Sequence, residues 1–337
     1  MATRHPMLAG RAVCLGGGNG ITAVARGLLD AGFSVAAVVA TTDNGRSTGL
    51  ARRLFDIPAP GDLRNVIAAF SADPAVRDLF DYRLETPALP ELTGAAFGNL
   101  ILGALAKTTG SFEAAVETAR RLAGAPIAVH PVTVANADLC AELEDGSIVR
   151  GEVDVRRPNK PAILRVFIDP PATATAAAVE AIRGADLVTL GPGSLFTSVL
   201  ACLAVEGIAD ALAASRAVRV YLANTTTQPG QSDHLSLAAQ IERVLAAANH
   251  AVDGVLIDDG APAPQLVARH RAAGRELLRL TPDEQRRLEG RGVRVITADL
   301  AEVDAAPRAL WQKEDAIRHD AGKVGAALTQ LFAERSR

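Results

Sequence analysis

The stretch Asp186-Leu187-Val188-Thr189-Leu190-Gly191-Pro192-Gly193-Ser194-Leu195-Phe196-Thr197-Ser198 decides how this chain is read. Its first part is an apolar run, its second a glycine turn followed by hydroxyl side chains. The pattern predicts a buried strand that passes through a tight turn into the first turn of a helix. Backbone N–H groups at a helix start lack an intrahelical acceptor, and the helix dipole favours an anion there. Glycine removes the Cβ that would hold a ligand away from those amides. Gly191, Gly193, Ser194, Thr197 and Ser198 are therefore candidate ligand contacts.

A second loop of this kind, Gly16-Gly17-Gly18-Asn19-Gly20, follows the apolar run Ala12–Leu15. It precedes a predicted helix over Ile21–Asp30 and a strand over Phe33–Ala40. This β-loop-α-β order opens a doubly wound fold. The expected class is α/β, a Rossmann-like, mostly parallel sheet with helices on both faces. Both glycine loops should lie at one edge of that sheet and hold one phosphorylated ligand between them, which adds Gly17, Gly18, Asn19 and Gly20 to the candidates. Ile21 stands where the third glycine of G-x-G-x-x-G belongs, which argues against a nicotinamide-dependent oxidoreductase.

Composition narrows the class further. The 337 residues are 49% apolar and 22% charged, enough for a large core and unlike a disordered chain. A net charge of −3 and 4% aromatics give no basis for a nucleic-acid partner. The apolar runs are too short to span a bilayer and no leader pattern is present, so a cytoplasmic protein without membrane insertion is expected. Cys14, Cys140 and Cys202 are widely spaced and read as small apolar filler. The sequence leaves the oligomeric state open and is compatible with a homo-oligomer.

Other predicted strands also end in polar loops. Thr41-Thr42-Asp43-Asn44-Gly45-Arg46-Ser47-Thr48-Gly49 has the donor density of a second anion or sugar site, with Asp43, Asn44, Arg46 and Ser47 as candidates. In Pro60-Gly61-Asp62-Leu63-Arg64-Asn65, Asp62 serves equally well as N-cap of a helix Leu63–Phe70 or as a ligand group. Arg64 in that first turn opposes the helix dipole and needs another reason to be there; Asn65 stands beside it. A helix Ala75–Tyr82 follows. Gly98 and Asn99 open a helix Phe97–Lys107, admitting either another backbone or a ligand. After the strand Val218–Ala223 come Asn224 and Gln228, with Ser232 or Asp233 as cap of a helix over Leu235–Ala248. The stretch from Asp315 to Asp320 leads to a last helix, Gly322–Phe332, with Arg318 read as a surface cap or a site cation. Residues of about 125–157 read as an antiparallel β insertion, with a hairpin at Asp145-Gly146, inside a single domain of 1–337. That insertion offers no evident chemistry, and the run Ala162–Ile168 after it reads as strand-like.

In this order, Gly16–Gly20, Asp43–Gly49, Pro60–Asn65, Phe97–Leu100, Gly191–Ser198, Asn224–Gly230 and Arg318-His319-Asp320 resemble the CofD/YvcK-like family. The Gly-Pro-Gly-Ser-Leu-Phe-Thr-Ser loop and Thr227-Gln228-Pro229-Gly230 resemble its gluconeogenesis-factor branch. That branch implies binding of UDP-activated sugars, tied to carbon metabolism and cell shape, with Arg318 at a position linked to the sugar nucleotide. The related 2-phospho-L-lactate transferase branch implies an enzyme that moves a phospholactyl-type group from a nucleotide diphosphate to a deazaflavin, with magnesium. In that case Asp43 and Asp62 are the catalytic carboxylates and Asp43 a metal ligand. The loop here departs from the usual Asp-Asp-Gly-Gly-Ser-Ser-Gly: an acid is lost and Arg46 gained, which weakens the case for a metal. Asn19 also replaces a common threonine.

Overall fold

A computed structural model describes residues 10–302 and 317–335. Its strands are β1 (Arg11–Gly16), β2 (Ser34–Val39), β3 (Ala128–Pro131), β4 (Asp138–Leu143), β5 (Ile148–Arg150), β6 (Ile163–Asp169), β7 (Leu187–Leu190), β8 (Val218–Leu222), β9 (Gly254–Asp258) and β10 (Arg294–Ala298). Seven form one sheet in the order β10-β9-β8-β7-β1-β2-β3, and every pairing in it is parallel. From β1 the chain steps outward to β2 and β3; from β7 it steps the other way, to β8, β9 and β10. β1 and β7 are neighbours, so the sheet's topological switch point lies between the two glycine loops. A crevice outside the carboxyl ends of the strands is the usual ligand site of such sheets.

The central strands are apolar on both sides because helices cover both sides. Val13 and Leu15 of β1 join Val188 and Leu190 in one core layer; Ala12 and Cys14 join Val35, Ala37 and Leu187 in the other. This period-two division of a continuous apolar run is the signature of a buried parallel sheet. The three cysteines are free and buried, as expected of filler. Burial pushes the Cys14 thiol up to about 12, and the Thr189 hydroxyl offsets this only in part.

Several elements differ from the sequence-based expectation. The first helix runs Gly18–Asp30 and so takes Gly18, Asn19 and Gly20 into its opening turn. Arg46–Phe55 is a helix, where only a polar loop was expected. Its buried face is Thr48, Gly49, Ala51 and Arg52, so it carries little of the apolar content that marks a helix in sequence. The next helix spans Gly61–Ala69 with Pro60 at the N-cap, so Asp62 sits inside the first turn and is not the cap. Ser236, and neither Ser232 nor Asp233, caps the helix Leu237–Ala247. The helices Pro74–Asp81 and Phe97–Thr109 stand where expected, and the last helix is Ala321–Arg335. Asp315 lies outside the described residues.

The small sheet has the order β5-β4-β6 and is antiparallel. Its third strand is the Ala162–Ile168 run, which reads in sequence as strand-like but beyond the 125–157 insertion, while 132–134 forms no strand and Glu152–Arg156 is a short helix. Pairing to β4, a non-local choice, decided this. Among the described residues no helix is long and apolar enough to cross a membrane.

Candidate functional site

The two glycine loops meet. The Gly191 amide donates to the Leu15 carbonyl at 2.8 Å, which continues the β1–β7 ladder into both turns. A Cβ at Gly20 would lie 1.9 Å from the Pro192 carbonyl oxygen and 3.1 Å from Gly193 Cα. No other residue type permits this approach without moving backbone. A Cβ at Gly17 would stand 2.5 Å from Ser198 Oγ and 2.9 Å from Asp62 Oδ2. Beside Gly17 the space is therefore lined by a hydroxyl and a carboxylate, while Ile21 and Val199 pack against Gly16 and Gly191 behind it.

Ser194 caps its own turn: its Oγ accepts from the Thr197 amide at 3.4 Å and donates to Gln231 Oε1 at 2.7 Å. The turn Leu195–Val199 is π-helical before the chain settles into Leu200–Leu203. A single π turn at this point spreads the backbone where a ligand would approach. Asn224 Nδ2 donates to Gly193 O at 2.7 Å, and Gln228 Oε1 accepts from the Leu195 amide at 3.3 Å. The loop after β8 thus braces the loop after β7.

The neighbouring helix starts crowd onto the same rim. A Cβ at Gly18 would meet the Asp62 carbonyl at 2.7 Å and Asn65 Cβ at 3.0 Å. One at Gly61 would lie 2.3 Å from Thr48 Oγ1 and 3.4 Å from Asp43 Oδ2. Ser47 Oγ accepts from the Ala96 amide at 2.7 Å and from Asn99 Nδ2 at 3.1 Å. The helices beginning at Gly18, Arg46, Gly61 and Phe97 all start without a side-chain cap. By contrast Asp73, Ser111, Thr175 and Thr281 cap theirs. Uncapped starts leave amide donors and the positive dipole ends facing the crevice.

Other candidates have local employment. Asn44 Oδ1 accepts from the Val153 amide at 3.0 Å, tying its loop to the small β unit. Arg64 is buried and turns its guanidinium to Asp81, which supplies the reason its position in the helix demanded. Burial lowers its pKa, Asp81 opposes that, and Arg83 adds to it. Asn65 Nδ2 reaches Asp62 Oδ1 at 3.5 Å. Asn19 and Arg46 are exposed at the mouth.

Arg318 is half-buried, and its carbonyl accepts from the Glu302 amide at 2.9 Å. The preceding Ile317 carbonyl accepts from Thr225 Oγ1 at 2.8 Å, so Arg318 is seated beside the Asn224 loop. His319 is buried next to Asp258 and bonded to the Ala223 backbone; burial pulls its pKa down to about 4. The sequence showed none of this support.

The small β unit also takes part. Its residues Val153 and Lys160 bond Asn44 and the Gly230 carbonyl respectively, so the segment links the loops after β2 and β8. Alternation within the segment gave no hint, because its polar groups are spent on partners far away in sequence.

Among the described residues no three His, Cys, Asp or Glu side chains gather into a metal-holding group. Asp43 and Asp62 border the crevice, and Asp43 Oδ1 already accepts from the Gly45 amide at 2.7 Å. Two carboxylates suit a magnesium ion completed by ligand phosphate oxygens, not a cage of protein groups.

The family model described as 2-phospho-L-lactate transferase CofD matches residues 12–301. The gluconeogenesis factor of Bacillus subtilis is 34% identical over 335 residues, covering 95% of this chain and 97% of that one. The gluconeogenesis factor of Listeria innocua is 35% identical over 329 residues, covering 97% of each. A crystal structure of a UPF0052-family protein from Bacillus halodurans superposes with a TM-score of 0.86 at 31% identity, covering 95% of this chain and 99% of that one. The parallel sheet, the paired loops and these matches agree: this chain belongs to the CofD family, among the proteins called gluconeogenesis factors.

Proposed function

We propose that this protein binds a nucleotide-diphosphate sugar of the UDP-sugar type at the β1–β7 switch point, as a regulator in carbon metabolism and cell shape. The observation that carries the reading is the contact of Gly20 with Pro192 and Gly193, which places two amide-rich turns on one rim. The pyrophosphate lies between Gly17–Gly20 and Gly193–Ser198, with Ser198 beneath it. Asn224 and Arg318 lie toward the β8 side, Asp43 and Asn99 toward the β2 side. Titration calorimetry with UDP-glucose and UDP-N-acetylglucosamine tests it. Micromolar binding that weakens about tenfold in Arg318→Ala is expected from the loss of a charge-assisted bond. No binding of either compound overturns the reading.

One observation favours a second reading, a transferase of the phospholactyl type. Asp43 and Asp62 border the same crevice. They would hold magnesium, which would neutralise phosphate charge, while the uncapped helix starts bind the phosphoryl oxygens. Incubation with a deazaflavin acceptor, nucleotide-activated donors and magnesium tests it, with product by mass spectrometry as the readout. Absence of product from folded protein removes this reading.

A further inference from the structure

Resting on the nucleotide-sugar reading, we propose that the glycosyl end of the ligand carries a carboxylate, read by Arg46 at the start of the helix Arg46–Phe55. An arginine at a first helical position opposes the dipole and is disfavoured unless something else engages it. Among the described residues no hydrogen bond or ion pair engages the Arg46 side chain, which is exposed at the start of its helix. The helix it opens has no side-chain cap and no acidic residue in its first turn. The same holds for the helix Phe97–Thr109, whose start is joined to it through Ser47.

The second, independent observation is Asn99. This side chain is 1% exposed, and its carboxamide lies where the two helix starts meet, with Nδ2 on Ser47 Oγ. Its Oδ1 is buried without a partner among the described residues. Thr42, also 1% exposed, has a buried and unpartnered hydroxyl on the chain leading into the same helix. Orphaned buried polar atoms ask for a hydrogen-bonding ligand or water. Amide nitrogens and a guanidinium select an anion, while Asn99 Oδ1, Thr42 Oγ1 and the two carboxylates suit hydroxyls. An acidic sugar offers both.

The helix start follows β2, the strand beside β1, so it lies along the same end of the sheet as the pyrophosphate grip. Asp43 opposes an anion at this corner, and the Gly45 amide, which donates to its Oδ1, offsets only part of that charge.

The test is calorimetry of the full chain with UDP-glucuronate and UDP-glucose, which differ only in that carboxylate. In the unmodified protein the glucuronate should bind about tenfold more tightly, and Arg46→Gln should bring the ratio of the two affinities to about one. Arg46→Lys should keep part of the ratio, and added salt should reduce it. Thermal denaturation checks that Arg46→Gln stays folded, which its exposure favours. Equal affinities in the unmodified protein, or a ratio unchanged in Arg46→Gln, overturn the proposal while the nucleotide-sugar reading stands. Binding of neither compound removes both.

Discussion

The Cα of Gly20 faces the Pro192 carbonyl so closely that a single added methyl carbon would sit 1.9 Å from its oxygen. Residues far apart in sequence thus meet at van der Waals contact, and the closure of the two turns depends on it. Gly20→Ala must push one loop away from the other. A stability loss of about 2–3 kcal/mol is expected in urea unfolding, from overpacking against backbone. Ligand affinity should fall by more than that loss implies. Unchanged affinity in the folded variant would show that the loops do not act as a pair.

Asn224→Ala removes the 2.7 Å bond to Gly193 O and leaves a carbonyl in the crevice wall without that donor. The stability cost should be about 1 kcal/mol, the ordinary worth of one such bond. Its effect on nucleotide-sugar affinity should be larger, since Gly193 then has freedom to turn. Paired denaturation and titration curves separate the two.

Asp81→Ala removes the carboxylate paired with the guanidinium of Arg64, whose side chain is 7% exposed against 43% for Asp81. Arg64 would keep the weaker attraction of Asp62 against the repulsion of Arg83. A loss of about 2 kcal/mol is expected, discounted from the buried-pair range because Asp81 is half in solvent. The double variant Arg64→Met, Asp81→Ala should recover most of it, as a double-mutant cycle would show.

His319 supplies a pH prediction. Its folded pKa is about 4 against an unfolded 6.5, through burial that the nearby Asp258 only partly offsets. Between these values the unfolded chain binds the proton and the folded chain does not. The contribution is full above pH 6.5 and is lost as pH falls toward 4, on the order of 3 kcal/mol in all. His319→Gln should flatten that part of the stability-versus-pH curve measured by chemical denaturation. An identical acid limb in the variant would place the titration elsewhere.

The sequence by itself determined the strands β1, β2, β7 and β8 and the polar loops after them. Continuous apolar runs ending in glycine or hydroxyl clusters are a local pattern, and local patterns survive in one dimension. It likewise showed that Gly17 and Gly193 belong to turns of one kind. The helix at Arg46 was hidden because its buried Arg52 is satisfied by Asn136, Ala137 and Asp138, partners brought by the small β unit. Asp62 read equally as a cap or a ligand group, because an acid beside a turn can be either; the tertiary fold placed it against Gly17 inside the helix. Arg64, Asn44, Lys160 and His319 owe their roles to Asp81, Val153, Gly230 and Asp258, each remote in sequence except Arg64 and Asp81, which are 17 positions apart. Which loops become neighbours was decided by strand order, since β1 pairs with β7 across the whole intervening chain. Charge pairing and close backbone approach act through space, so only the tertiary structure could assign them.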